Sequence, residues 1–370
     1  MQRQLKFTNA CNDMDSSKFT LGFVGDVLLH MPLQNQAFSH EEQFKILWKE
    51  VQGLISQVDF MYANLEGPAA ANIKNSSYPL FNYPEFILDN LVDSSFDIVS
   101  TVNNHTLDKG VLGVDRTIEG LRRVGLPYFG SIKSDEIEES QFYTITNISN
   151  GSDSIRVAWV SCTFSNNGNN DPLKQILYCF RQNGGGGGPN PLLLNLVENL
   201  HNMESIDAII VTPHWGVEYV QRPNRSQSEL AEQLIGAGAL AVIGSHPHVL
   251  QPWEKIINNG REGFVLYSLG NFVSNQSQIP RRASIILFLG LRKTSLGKVL
   301  IDGISYFPMY MRRRSDESNQ NGYHYLTPLN TAELVDNIGS MARENIYSIF
   351  PESYAIKNKE SIVINGSQCH

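Results

Sequence analysis

His246 and His248 flank a single proline at the end of an apolar run, ALAVIGSHPHVLQ (239–251), in a chain of 370 residues with nine histidines. Other potential ligands occupy the same kind of position, just after a short apolar run. Asp26 follows in GD, Asn64 and Glu66 in ANLEGP, and Asn103, Asn104 and His105 in VNNHTLD. His214 and Glu218 follow in TPHWGVEY, and Asn271 in SLGNF. Each has a plain structural use on its own: an Asp after a strand caps a helix, an Asn makes a turn, and a His completes a hydrogen bond. Their coincidence points to chemistry. Neutral imidazole suits zinc, iron and manganese, while carboxylate and amide oxygens suit harder cations. Such a mixed set is enough for two divalent ions with one bridging carboxylate. Two ions about 3.5–4 Å apart serve hydrolysis by activating water and stabilising the developing charge. In an extended segment, residues two apart point the same way, so His-Pro-His predicts both imidazoles facing one cavity, with Pro247 holding the residue before it extended.

The elements that must position these residues alternate. Phe19–Val24, Val58–Ala63, Asp97–Val102, Ile155–Ser161, Ala208–Thr212, Leu240–Ile243 and Phe264–Ser268 are short and rich in β-branched or aromatic residues, as strands are. Between them, Glu41–Gln57 carries Phe44, Leu47, Val51, Leu54 and Ile55 at steps of three and four, which predicts a helix. Val114–Val124 and Ser228–Ala237 read similarly, each followed by glycine. Alternation of this kind predicts an α/β fold with a mostly parallel or mixed sheet, and ligand crevices in such sheets open outside the carboxyl ends of the strands. Six segments therefore deliver donors to one edge.

Two stretches break the rhythm. NGGGGGPNP (183–191) reads as a flexible linker, since it lacks the GK[ST] ending of a phosphate cradle. MRRRSDESNQNG (311–322) reads as an exposed loop leading to a helix-like stretch, Thr331–Ile349. The expected organisation is a tail at 1–18, one domain at 19–310, and a loop and helical appendage at 311–370 packed on that domain.

Composition sets outer bounds. With 41% hydrophobic residues the chain can bury a large core, and a net charge of −8 argues against a nucleic-acid partner. The four cysteines form no CxxC; Cys162, in an apolar run, reads as a packed core thiol, with a Cys162–Cys179 disulfide left open. The sequence contains no signal-peptide hydrophobic region and no stretch of the roughly 20 apolar residues that span a bilayer.

Together, GDVLL, NLEGP, NNHTLDKG, HWGVEY, GSHPHVLQ and YSLGNF, in that order between about Leu21 and Phe272, resemble the CapA/PgsA family of bacterial poly-γ-glutamate capsule synthesis. That family is similar to calcineurin-like metallophosphoesterases. The resemblance implies a four-layer α/β/β/α sandwich of the metallophosphoesterase type with mixed sheets, and two divalent ions, manganese, iron or zinc. It implies Asp26 and His248 at the first ion, Asn104, His214 and His246 at the second, Glu66 as the bridge, and His105 and Asp26 as the catalytic pair, with His105 as general acid or as stabiliser of the leaving oxygen. It also implies an anionic polymer or small anionic substrate, capsule-synthesis membrane proteins as partners, and an envelope location. The wider superfamily opens with Asp-x-His, where this chain has Leu28, so the first site lacks a ligand; His30 is the nearest substitute in sequence. Arg222 and Arg225 after HWGVEY, Arg281 and Arg282 after SLGNF, and Asn271 are candidates for binding an anionic substrate, with Trp215 and Tyr219 as candidate walls. The expected function is metal-dependent hydrolysis of a phosphoester or amide-type bond. The alternatives are a non-catalytic component of a capsule synthesis or export complex, and a soluble phosphatase unrelated to capsules.

Overall fold

The computed structural model describes residues 5, 7, 16–137, 142–184, 186–329, 336–357, 362 and 365–366. The first sheet begins with four parallel strands, β1 (Ser17–Val27), β2 (Phe60–Leu65), β3 (Ile98–Ser100) and β4 (Tyr128–Phe129). The chain then builds a second sheet from β5 (Tyr143–Ser149), β6 (Ser154–Thr163), β7 (Ala208–His214), β8 (Ala241–Ile243), β9 (Leu250–Asn258) and β10 (Arg261–Leu269). It returns to the first sheet with β11 (Asn271–Val273), β12 (Ala283–Lys293), β13 (Val299–Arg312), β14 (Tyr325–Pro328) and β15 (Asn365–Gly366).

Both sheets are mixed. In the first the order is β14-β13-β12-β1-β2-β3-β4, with β11 beside β1 and β15 beside β13; in the second it is β5-β6-β7-β8-β10-β9. Four layers follow from what each face buries. Phe23 and Tyr62 of one sheet meet Trp159 and Ile210 of the other in the central core. The outer face of the first sheet is covered by α1 (Met31–Ser39), α2 (Gln52–Ile55), α3 (Ile87–Asp93) and α4 (Gly110–Val124). That of the second is covered by α5 (Pro191–His201) and α6 (Arg225–Ala237). Two further helices follow, the single turn α7 (Ile279–Arg282) and α8 (Asn337–Ile349). The fold is the α/β/β/α sandwich that the resemblance implies.

The segment 41–57 does not form one helix. It folds as 3₁₀ turns at Gln43–Leu47 and Lys49–Val51 followed by α2. Phe44, Ile46, Leu47, Trp48 and Val51 are all buried, so its apolar residues are used on more than one side. Side chains near α3 take over its polar groups: Asn90 accepts from the Phe44 N–H at 2.9 Å, and the Trp48 indole donates to Ser94 at 2.8 Å.

The glycine-rich stretch is likewise not a free linker in its described residues. Arg181 N–H donates to the Gly188 carbonyl at 3.0 Å, and Gly184 N–H to the Phe164 carbonyl at 2.7 Å. A Cys162–Cys179 disulfide ties the end of β6 to this turn, so Cys162 is not a free thiol. Asn190 then caps α5 through the Leu192 N–H. The tail at 1–18 and Thr331–Ile349 lie partly outside the described residues. Leu5 and Phe7 are described, and Phe7 is buried in the central core.

Candidate metal centre

The parallel strands β1, β2, β3 and β6, β7, β8 end at one edge, and the donors gather there. Asp26 reaches it because β1 bends: its pairing with β2 and with β11 shifts register around Asp26. Gly25 permits the bend, since a Cβ there would lie 1.9 Å from the Gly270 carbonyl oxygen. Asp26 Oδ1 accepts from Asn64 Nδ2 at 2.8 Å, and Oδ2 lies 3.1 Å from His248 Nδ1. That nitrogen is also 3.0 Å from Asn271 Oδ1.

The other half forms around His214, at the end of β7. Its Nε2 lies 2.8 Å from Asn104 Oδ1 and 3.2 Å from His246 Nδ1, while Ser245 Oγ lies 2.9 Å from its Nδ1. Glu66 sits between the two halves, with Oε1 3.6 Å from His214 Nε2 and 3.7 Å from His248 Nε2. Two triads of donor atoms therefore share Glu66: Asp26, Glu66 and His214, and Glu66, His246 and His248. All are buried, and neither Glu66 oxygen has a hydrogen-bond partner among the described residues.

Electrostatics match this geometry. Burial, and then the neighbouring Asp26 charge, push the Glu66 carboxyl well above its ordinary range. Burial, and then the surrounding imidazoles, hold His214 and His246 well below theirs, so both rings are neutral and ready to ligate. An orphaned carboxylate beside neutral imidazoles is a donor set that fits divalent metal.

The GSHPH segment reaches this arrangement by an unexpected route. His246 and His248 have φ of 98° and 57°, so the segment is not extended. Two left-handed turns, rather than strand alternation, bring the rings to 5.8 Å apart. Gly244 ahead of them lets the chain pass the Tyr267 carbonyl, which a Cβ would approach to 2.2 Å.

His105 lies beside the cluster. Its Nδ1 is 2.7 Å from Asp108 Oδ2, and its ring packs edge-on against Phe81 at 4.8 Å. The same Asp108 oxygen accepts from the Phe81 N–H at 2.7 Å. Asp108, three residues after His105 in NNHTLDKG, is a partner the sequence reading does not single out, while Asn64, a potential ligand by sequence, instead donates to Asp26. Phe164, whose ring stands 4.4 Å from His246, carried no sequence signal.

The remaining candidates separate. Leu28 is buried in the outer core with α1. His30 turns to the Leu28 carbonyl and the Asn275 N–H, at 3.3 Å each, and stays outside both triads. Arg225 is exposed and pairs with Glu229 one helical turn away, and Arg222 is exposed. Arg282 is buried in an ion pair with Asp316. Trp215 is core, donating to the Tyr267 carbonyl at 2.9 Å, whereas Tyr219 stands at the rim with its ring 6.1 Å from that of His248. A cavity of about 420 Å³ opens beside His246 between Phe164, Phe180 and Glu218. A larger one, about 730 Å³, lies by β4 and β5 around Tyr128 and Lys133 and contains no member of the donor set.

The chain is 24% identical over 296 residues to the capsule biosynthesis protein CapA of Bacillus anthracis, across 78% of this chain and 67% of that one. It is 26% identical over 282 residues to the PGA biosynthesis protein CapA of Bacillus subtilis, across 75% and 68%. Among solved structures, Haemophilus influenzae NAD nucleotidase aligns with a TM-score of 0.48 at 13% identity, across 94% of this chain and 65% of that one. The purple acid phosphatase of yellow lupin seeds aligns with a TM-score of 0.31 at 10% identity, across 77% and 53%. The profile of the bacterial capsule synthesis protein PGA_cap matches residues 20–276, the stretch that carries every donor described above, and the chain belongs to that family.

Proposed function

We propose that the protein is a metal-dependent hydrolase acting on poly-γ-glutamate or a related anionic envelope polymer, at a phosphoester or amide-type bond. Glu66 carries the reading. Among the described residues neither oxygen of this fully buried carboxylate accepts a hydrogen bond, which is costly, and a divalent cation is the partner that suits the carboxylate and imidazole donors around it. In the partition the family resemblance implies, Asp26 and His248 would hold one ion and Asn104, His214 and His246 a second, with Glu66 shared. The triads that close in this fold instead group Asp26 with His214, and His246 with His248, around the same Glu66; manganese, iron or zinc suits either grouping. Bound there, such ions polarise the scissile bond and activate water at neutral pH.

The chain's own residues do the rest. Asn64 and Ser245 orient Asp26 and His214. Asp108 holds His105 by Nδ1, which leaves Nε2 to give a proton to the leaving atom. The polymer assignment draws support from the family description and from the capsule and PGA relatives. Among the described residues no helix is long and apolar enough to cross a membrane. The disulfide supports an oxidising, extracytoplasmic setting.

One observation favours a second reading, a non-catalytic component that works with capsule-synthesis membrane proteins. Leu28 is packed into the outer core where the superfamily has a histidine, which thins the first site. Metal analysis, with turnover of poly-γ-glutamate and of phosphomonoester and phosphodiester substrates, separates the two. The hydrolase reading expects bound divalent metal that His246→Ala loses. It also expects His105→Ala to keep metal while turnover falls about 10²–10⁴-fold. Metal without turnover of any substrate would favour the component. Absence of metal, together with a His246→Ala variant as stable and active as wild type, sinks the metal reading.

A further inference from the structure

Arg281 borders the His248 side of the site and, among the described residues, makes no ion pair. Its guanidinium carbon lies 3.4 Å from the centre of the Tyr219 ring. Both halves of this stack are tied to the ligand loop. Tyr219 N–H donates to the Pro247 carbonyl at 2.7 Å. Asn271 Nδ2 donates to the Arg281 carbonyl at 3.0 Å while its Oδ1 faces His248. Among the described residues the guanidinium meets no carboxylate and no hydrogen-bond acceptor, and its Nε is shielded from water without a partner. The adjacent Arg282 shows the contrast: its Nε donates to the Met311 carbonyl at 2.9 Å, and its far end pairs with Asp316.

Stacking leaves the fork of N–H donors free in the plane of the guanidinium and fixes its direction before any ligand arrives. A fork held this way suits two oxygens of a carboxylate or a phosphate. The cavity on the His246 side, which begins at Gly216–Glu218 next to Tyr219, has different chemistry. The cavity beside His246 is walled by Phe164, Phe180, Asn167, Asn224 and Glu218, with no cationic side chain in its lining.

We propose that Arg281, laid on Tyr219, is the residue by which this site recognises an anionic group of its substrate, a carboxylate or phosphate placed beside His248. Substrate then lies across the cleft in one direction, anionic group toward Arg281 and uncharged portion toward His246. The inference rests on the hydrolase reading only for what happens to the bound molecule, because Arg281 is not among the metal donors.

Calorimetric titration of the full chain tests it, in metal-loaded and metal-free form, with γ-glutamylglutamate as the carboxylate probe and phenyl phosphate as the phosphate probe. Wild type is expected to bind at least one of them, and which one identifies the chemistry. Arg281→Gln should weaken that binding about 10- to 100-fold, the loss of a charged hydrogen-bonding partner. Arg281→Lys and Tyr219→Leu should fall between, with metal content and melting temperature near wild type in all three. Equal affinities in wild type and Arg281→Gln overturn the proposal, as does failure of both probes to bind wild type. A chain that retains no metal yet binds a probe through Arg281 sinks the hydrolase reading and leaves this one standing.

Discussion

Asp26 and Glu66 are both fully buried carboxylates a few residues from strand ends, yet their surroundings differ. Asn64 and His248 satisfy Asp26, whereas nothing among the described residues satisfies Glu66. Glu66→Gln should therefore do two opposite things. It should cost most of the bound metal, read by elemental analysis. At pH above the ordinary carboxyl range it should also raise the melting temperature of the metal-free chain, by relief of about 1–3 kcal/mol, because it removes a buried carboxyl that the unfolded chain ionises freely and the fold does not. The pH dependence has a defined sign. The folded Glu66 carboxyl lies above its ordinary value of 4.5, so its acid form is the one the fold favours. Its contribution is present below pH 4.5 and is lost as pH rises through the folded value. The metal-free wild type should therefore fall behind Glu66→Gln as pH rises, in thermal melts taken across that range. Leu28 tests the first site from the other direction. Its side chain belongs to the outer core, so Leu28→His should not restore a ligand. It should destabilise by roughly 2–4 kcal/mol, lost burial plus a buried polar ring, with metal content unchanged. A rise in bound metal would show that the bend at Asp26 can turn position 28 inward.

Strand ends deliver the donors, but a cross-link and a turn hold the wall they face. The Cys162–Cys179 bond spans 17 residues, and inside that span lie Phe164 against His246 and Asn167, whose Oδ1 accepts from Asn104 Nδ2 at 3.3 Å. Replacing both cysteines by alanine should cost about 3 kcal/mol, the chain-entropy value for a loop of that size. Because no donor of the triads lies within the loop, the variant should keep its metal and lose turnover. Denaturant melts and metal analysis on one preparation check this, and loss of metal would place the wall inside the ligand set. The bond was half legible: both cysteines stood in view, but an apolar run around Cys162 reads the same whether the sulfur is free or bonded. The strands β1, β2, β3, β6, β7, β8 and β10 were visible because each carries a short β-branched or aromatic run followed by polar punctuation, whereas β4 and β11, at two and three residues, are too short to show a pattern. The strands β12 and β13 were missed for a physical reason. ASIILFLGLRK is buried along nearly its whole length, so it has no alternation to separate a strand from a buried helix. In GSHPH the outcome was legible and the route was not, since a left-handed φ at two histidines leaves no mark in the sequence.

At the scale of the whole molecule, the sandwich leaves one end of its central core to be closed by chain outside the family match. α8 packs against β12 and β13, and Ala342, Ile346, Phe350 and Tyr354 enter the same core as Trp253 and Tyr306. The Phe350 ring stands 4.6 Å from Trp253 and 5.5 Å from Tyr306. On the amino-terminal side, Phe7 joins this core 6.4 Å from Phe264, and Leu5 N–H donates to the Tyr354 hydroxyl at 2.9 Å. Both terminal segments therefore pack into one seam, and we propose that the appendage folds as part of the same unit. Phe350→Ala should cost about 3–5 kcal/mol, as an aromatic removed from a close-packed core does. A chain ended before Asp336 uncovers Trp253 and Tyr306 and should not yield soluble folded protein. The donors lie at the carboxyl ends of the parallel strands, in segments that α8 does not contribute to. Phe350→Ala should therefore keep its metal and its Arg281-dependent anion binding under conditions where it remains folded. One cooperative transition in calorimetry, shifted down by the mutation, is the expected record. Two separated transitions, with the donor-bearing part melting at the wild-type temperature, would instead make the carboxyl-terminal segment a separate body resting on a sandwich already closed.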